Sequence, residues 1–173
     1  QLGAILAVVG YYARDLLTQA RSLPTSSSTQ RFWLGILVAF IPAAVVGLTL
    51  RTWIKQVLFE SPAVIAASLI LGGIVLIIIE RVPLRPVTHD PEQTTLKQAF
   101  LIGLAQVTAL IPGVSRSGAS MVGGMLAGLD RRSATAFAFY LSIPTLRAAT
   151  IVDLISNLDL ITADDILRLA LGA

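Results

Sequence analysis

Apolar residues in this chain gather into long runs, and polar residues gather between them. Residues 32–50, FWLGILVAFIPAAVVGLTL, carry no charge, and neither do residues 62–79, PAVIAASLILGGIVLIII. A helix needs roughly 20 apolar residues to cross a hydrocarbon core of about 30 Å, so each stretch predicts a membrane span. Trp33 and Trp53 fall near the interfaces of the first, and Pro62 suits the first turn of the second. Residues 134–155, ATAFAFYLSIPTLRAATIVDLI, predict a third span, kinked at Pro144 and carrying Arg147 near its middle. The segments 14–31, 51–61 and 80–97 read as short polar loops.

Two further apolar stretches are too short to cross. At about 1.5 Å per residue, residues 98–111 make about 21 Å of helix and residues 118–129 about 18 Å. Two half-helices joined by polar, irregular backbone are either a re-entrant hairpin or one broken span. Charge chooses between them. Arg81, Arg85 and Lys97 lie in the loop before, and Arg131 and Arg132 in the turn after, whereas 153–165 carries Asp153, Asp159, Asp164 and Asp165 without a basic residue. A hairpin over 98–129 puts both basic segments on one side and the acidic one on the other, as the positive-inside rule requires. Ser120, Gly124 and Gly128 recur every four positions on the second half-helix, a spacing that lets a neighbouring helix approach closely. The chain opens inside an apolar run and closes in DDILRLALGA. Residues 1–13 therefore read as a truncated span and 165–173 as the start of a truncated helix. The expectation is an all-α integral membrane protein, a multi-span helical bundle with a re-entrant hairpin, forming one membrane domain over 1–173 within a longer protein.

Composition agrees. Of 173 residues, 55% are hydrophobic and 13% charged, where a soluble domain carries about 25% charged residues. With no cysteine, disulfides, thiolate chemistry and cysteine metal sites are excluded. The excess of 13 Lys and Arg over 10 acids suits loops facing anionic lipid, and no basic patch interleaved with aromatics points to nucleic acid.

The chemistry lies at the interruption, ALIPGVSRSGAS, residues 109–120. Pro112 ends the first half-helix, and Gly113 allows backbone angles that other residues resist. A new helix starting near residue 115 leaves its first N–H groups without helical partners, which makes an anion site strengthened by the helix dipole. Arg116 adds a permanent cation whose fork of donors matches phosphate oxygens, and Ser115, Ser117 and Ser120 add hydroxyls within a turn. One serine alone would be a helix cap, and one arginine alone would snorkel to a headgroup. A charge in irregular backbone at membrane depth needs compensation, and a phosphate or pyrophosphate supplies it.

PGVSRSGAS, with QAFLIGLAQVTALIPG before it and GGMLAGLDRRSATAFAFYLSIP after it, resembles the second signature of the undecaprenyl-diphosphatase (bacitracin-resistance) family. QLGAILAVV at 1–9 and IPAAVVGL at 41–48 resemble other parts of that family in the same order. The resemblance covers essentially the whole chain. It implies a multi-pass enzyme of the bacterial inner membrane that hydrolyses undecaprenyl pyrophosphate to undecaprenyl phosphate and phosphate. That reaction recycles the lipid carrier of cell-wall synthesis and confers bacitracin resistance. It also implies inverted repeats, each with a re-entrant hairpin, meeting at one polar site. By position, Ser115, Arg116 and Ser117 become the expected catalytic residues, and Gly113, Arg116, Gly118 and Ser120 the expected phosphate-binding set. Ser120 stands where the family usually has threonine, which keeps the hydroxyl. The expected partners are a polyprenyl pyrophosphate and membrane lipids, with a homodimer left open.

Three departures matter. Arg147 has no counterpart in the family pattern and reads equally as a snorkelling residue or a second phosphate contact. The family's first signature, two glutamates four residues apart followed by a proline, serines and a histidine, is absent. SLPTSSSTQ at 22–30 imitates it, but Arg21 and Leu17 hold the glutamate positions and Gln30 the histidine position. That stretch is rejected as a site and read as a flexible connection. The sole histidine, His89, lies in the polar loop PVTHDPEQTT, with Glu80, Asp90 and Glu92 in or beside it. The divalent cation (Mg or Ca) that the family implies would thus have its carboxylate ligands outside this sequence, and the chain alone would be inactive. A transporter or flippase for a phosphorylated lipid or anion is the alternative, since broken helices with an arginine serve that role too.

Overall fold

The computed structural model describes residues 10, 11 and 13–156. The segments expected at 1–13 and 165–173, and Asp159, Asp164 and Asp165, lie largely or wholly outside the described residues. Within them the chain is helical, with a single isolated bridge between Thr88 and Leu129.

Six helices carry the architecture: α1 (Ala13–Ser22), α2 (Ser27–Thr49), α3 (Pro62–Arg81), α4 (Leu96–Val107), α5 (Arg116–Leu126) and α6 (Arg131–Ser156). A short helical stretch over Arg51–Leu58, its second part a π-helix, follows α2, and a 3₁₀ turn, Thr108–Leu110, extends α4. Ser27–Thr49, Pro62–Arg81 and Arg131–Val152 are long and apolar enough to cross a membrane. Leu96–Leu110 is apolar but shorter.

The segment expected as a polar loop at 14–31 is mostly helix. Leu16 on α1 packs against the core, which gives that amphipathic stretch a reason to fold. The Ser/Thr run that follows is a helix start rather than a flexible connection. Ser26 caps α2 by accepting from the Thr29 N–H at 3.3 Å.

Helix α2 packs on α4 and α6, and α5 lies between α4 and α6. Phe32, Ile36 and Ala39 of α2 meet Ala99 and Ile102 of α4 and Phe137, Tyr140 and Leu141 of α6 in one buried cluster. The Phe32 ring stands edge-on to Tyr140 and Phe137, at centroid distances of 5.1 and 6.0 Å. Small residues set the spacing. A Cβ at Gly103 would collide with the Ala39 carbonyl of α2, and one at Gly123 with the Ala105 methyl of α4.

Helices α4 and α5 form an antiparallel hairpin. Gln98 at the start of α4 donates to the Ala127 carbonyl beyond the end of α5 (3.0 Å), while Ser120 near the start of α5 meets Gln106 near the end of α4. The base is closed by backbone. Val87 and Thr88 donate to the Gly128 carbonyl at 2.8 and 3.0 Å, and Asp130 returns a bond to the Thr88 carbonyl at 2.9 Å. A single broken span would hold these segments at opposite ends. Gly128 is not on the α5 stripe with Ser120 and Gly124, as the four-residue spacing suggested. It follows the helix with φ of +97°, in the turn that redirects the chain into α6.

Helix α3 stands apart from this unit. Most of its apolar side chains are exposed, and its attachments are near its ends. Near its start, Ser68 donates to the Pro112 carbonyl at the hairpin tip, and near its end Glu80 pairs with Arg131 at 2.7 Å.

Candidate functional site

The hairpin tip is built by a sequence of local constraints. The Thr108 hydroxyl bonds the Ala105 carbonyl at 2.7 Å, and the helix tightens into its 3₁₀ turn. Ile111 is extended, as a residue before proline must be. Gly113 follows with φ of +96°, and a Cβ there would collide with Ser68 and crowd the Ile65 carbonyl of α3. Only glycine meets both conditions.

Ser115 is the N-cap of α5. Its backbone is extended, and its hydroxyl oxygen accepts from the Gly118 N–H at 3.2 Å. The same oxygen lies 3.3 Å from the Ser117 hydroxyl, so the two serines share one hydrogen bond. Arg116 is the first helical residue. Its guanidinium is partly enclosed, and Nη1 is buried without any hydrogen-bond partner. Since guanidinium N–H groups normally find acceptors, this one is an unmet donor beside the first turn of α5.

Gly113, Ser115, Arg116, Ser117 and Gly118 are thus brought together at the tip. Ser120 does not line the cleft with Ser115 and Ser117. It is 2% exposed, and its hydroxyl faces Gln106 in the seam between α5 and α4. A cleft of about 250 Å³ runs from the tip between α3 and α6, with Ser115, Ser117 and Gly118 at its polar end and Leu76, Met121 and Phe139 along its apolar side. A larger groove, about 730 Å³, lies at the base beside Ser28, Arg31, Glu92 and Thr95.

His89, Glu80, Asp90, Glu92 and Asp130 are elsewhere. His89 Nδ1 pairs with Asp130 at 3.0 Å, Glu80 with Arg131, Asp90 caps the Pro91–Gln93 turn, and Glu92 accepts from Gln19 at 3.2 Å. All of these contacts are at or near the base. Among the described residues, no group of three or more His, Cys, Asp or Glu side chains forms a set able to hold a metal ion. Hydroxyls beside a guanidinium do not fit a divalent cation. Arg147 is exposed on α6.

Sequence reasoning missed Ser68, Gln106 and Thr145. Ser68 and Gln106 are polar residues set in apolar runs, which is the available signal for a buried hydrogen-bonding partner, whereas Thr145 sits among other polar residues and gave no such signal.

The model of the bacitracin resistance protein BacA family matches residues 1–173. This chain belongs to the bacitracin resistance protein BacA family. It is 49% identical to the undecaprenyl-diphosphatase of Phenylobacterium zucineum over 99% of its own length and 65% of that protein's. It is 46% identical to undecaprenyl-diphosphatase 1 of Agrobacterium fabrum, over 99% of this chain and 64% of that one. With the undecaprenyl-diphosphatase of Caulobacter vibrioides the identity is 44%, over 99% and 65%. The chain thus spans about two thirds of the length of these curated relatives. As a member of the BacA family it places SRSG, residues 115–118, at the open tip of its helical hairpin.

Proposed function

We propose that this chain carries the phosphate-holding part of an undecaprenyl pyrophosphate phosphatase, a multi-pass protein of the bacterial inner membrane. The reaction is hydrolysis of undecaprenyl pyrophosphate to undecaprenyl phosphate and phosphate, which returns the lipid carrier to cell-wall synthesis. The observation that carries the proposal is the buried, unpartnered Nη1 of Arg116 at the first turn of α5. In this reading Arg116 takes the pyrophosphate oxygens bidentately, and the first free N–H groups of α5 add donors along the helix axis. Ser115 keeps the turn capped, while Ser117, hydrogen-bonded to Ser115, orients the phosphate or its attacker.

Hydrolysis needs a nucleophile, proton transfer and charge neutralisation. The tip supplies the last strongly. The proposal assigns proton transfer, and the divalent cation expected from the family, to carboxylates other than those described.

Phosphate release from undecaprenyl pyrophosphate by the whole protein in detergent tests this directly. The native protein releases phosphate, and Arg116→Ala abolishes release while still inserting into the membrane. Near-normal turnover by that variant sinks the assignment. A transporter or flippase would release no phosphate at all.

A further inference from the structure

A buried chain of hydrogen bonds crosses three helices one turn beneath Arg116. On α6 the Thr145 hydroxyl donates to the Leu141 carbonyl at 2.7 Å. Gln106 Nε2 on α4 donates to the Thr145 oxygen at 3.2 Å. On α5 the Ser120 hydroxyl donates to Gln106 Oε1 at 3.3 Å. Gln106 and Ser120 are each 2% exposed.

The direction of this chain is fixed by its end. Because the Thr145 hydrogen is committed to a backbone carbonyl, only lone pairs face Gln106, so the amide must present its nitrogen there. Its oxygen is then turned to Ser120, which must give up its single hydrogen. Rotating the amide would set its oxygen against the Thr145 lone pairs and lose that bond. Ser120 is left with lone pairs alone, and phosphate oxygens are also acceptors. A hydroxyl in that state does not bind phosphate.

We propose that Gln106 is a positioning residue for Arg116, and that Ser120 serves Gln106 rather than the phosphate. This rests on the phosphatase reading of the tip. Ser120 lies four residues after Arg116, so both share one face of α5. With 11 residues, three of them glycines, α5 has little stability of its own and takes its rotation from its contacts. Anchoring Ser120 to the Gln106–Thr145 pair sets the angle at which Arg116 leaves the helix.

The test is a double-mutant cycle in the whole protein with Ser120→Ala, Gln106→Leu and the pair together. Each single change is expected to lower kcat about 10- to 100-fold through a misplaced Arg116, with KM moved by about twofold or less. The double variant is expected to be no worse than the weaker single, and Ser120→Thr to keep native turnover. Multiplying losses in the double variant, or a KM rise confined to Ser120→Ala, would overturn the proposal. If Gln106→Leu fails to fold, Thr145→Val replaces it in the cycle, with a smaller loss in kcat expected. A second arm uses inorganic pyrophosphate and thermal unfolding. The stabilisation by pyrophosphate is expected to be the same in Ser120→Ala and Gln106→Leu, and a loss confined to Ser120→Ala rejects the proposal. This arm needs no turnover, so a native protein that releases no phosphate defeats the phosphatase reading and leaves the positioning claim separately decided.

Discussion

The two ends of the hairpin are made from the same parts and used differently. At the base, Thr95 caps α4 in a reciprocal box with Gln98, whose amide also reaches Thr88 and the Ala127 carbonyl. At the tip, Ser115 caps α5, but the adjoining Arg116 keeps Nη1 enclosed and unmatched. Burying a polar group without a partner costs about 1–3 kcal/mol, and more for a charged one. The base also leaves neutral Gln19 Oε1 and Ser133 Oγ without partners, so what sets the tip apart is that its unmatched group is a cation.

The contrast fails first if the tip proves structural. Arg116→Ala is expected to lower phosphate release by at least about 10²–10³-fold, the range for losing one donor to developing negative charge. Its thermal unfolding midpoint in detergent should stay near the native value, because no protein partner is lost. A large drop in midpoint with turnover retained would assign Arg116 to the fold.

The next largest effect is on the frame that holds both ends. Gly103→Val places a side chain against the Ala39 backbone, where no rotamer can avoid it. Overpacking of this kind costs about 1–3 kcal/mol, and a backbone collision belongs at the upper end. The expected result is a markedly lower unfolding midpoint. An unchanged midpoint would mean that α2 and α4 are not in close contact.

At the base, Gln98→Ala removes the bonds to Thr95, Thr88 and Ala127 together. A loss of about 1–2 kcal/mol is expected from the unsatisfied groups, with kcat unchanged. Equal losses of turnover from Gln98→Ala and Arg116→Ala would erase the distinction between base and tip.

Much of this was legible in the sequence, for definite reasons. The spans announce themselves because uncharged runs near 20 residues have few other uses. The tip is readable because Pro112, Gly113 and Ser115 each force or favour one backbone conformation, and their order spells an interrupted helix. Placement of side chains around α5 was not readable. Spacing put Ser120 with the phosphate-facing serines, and only the position of α4 turns it toward Gln106. Gly128 looked like one more step of a small-residue stripe, because a four-residue period cannot show where a helix stops. The helix at Ala13–Ser22 was hidden for a related reason, since its support comes from the core contact of Leu16 and not from its own polar sequence.

The smallest expected effect lies at the base, where Asp130 caps α6 by accepting from the Ser133 N–H at 2.7 Å. That bond holds the Asp130 carboxyl below its ordinary range, with the His89 contact adding to the effect. A carboxyl depressed in the folded state stabilises above its unfolded value of about 3.9. The contribution is lost as pH falls through the lower, folded value. Asp130→Ala removes cap and charge together and is expected to cost about 1 kcal/mol at neutral pH. Asp130→Asn keeps an oxygen for Ser133 and removes only the charge, so it should cost less. Its deficit in unfolding midpoint should shrink as the native protein is taken from pH 6 toward pH 3. A deficit that stays constant over that interval would show that the carboxylate charge contributes nothing there, and that Asp130 acts at the base through shape alone.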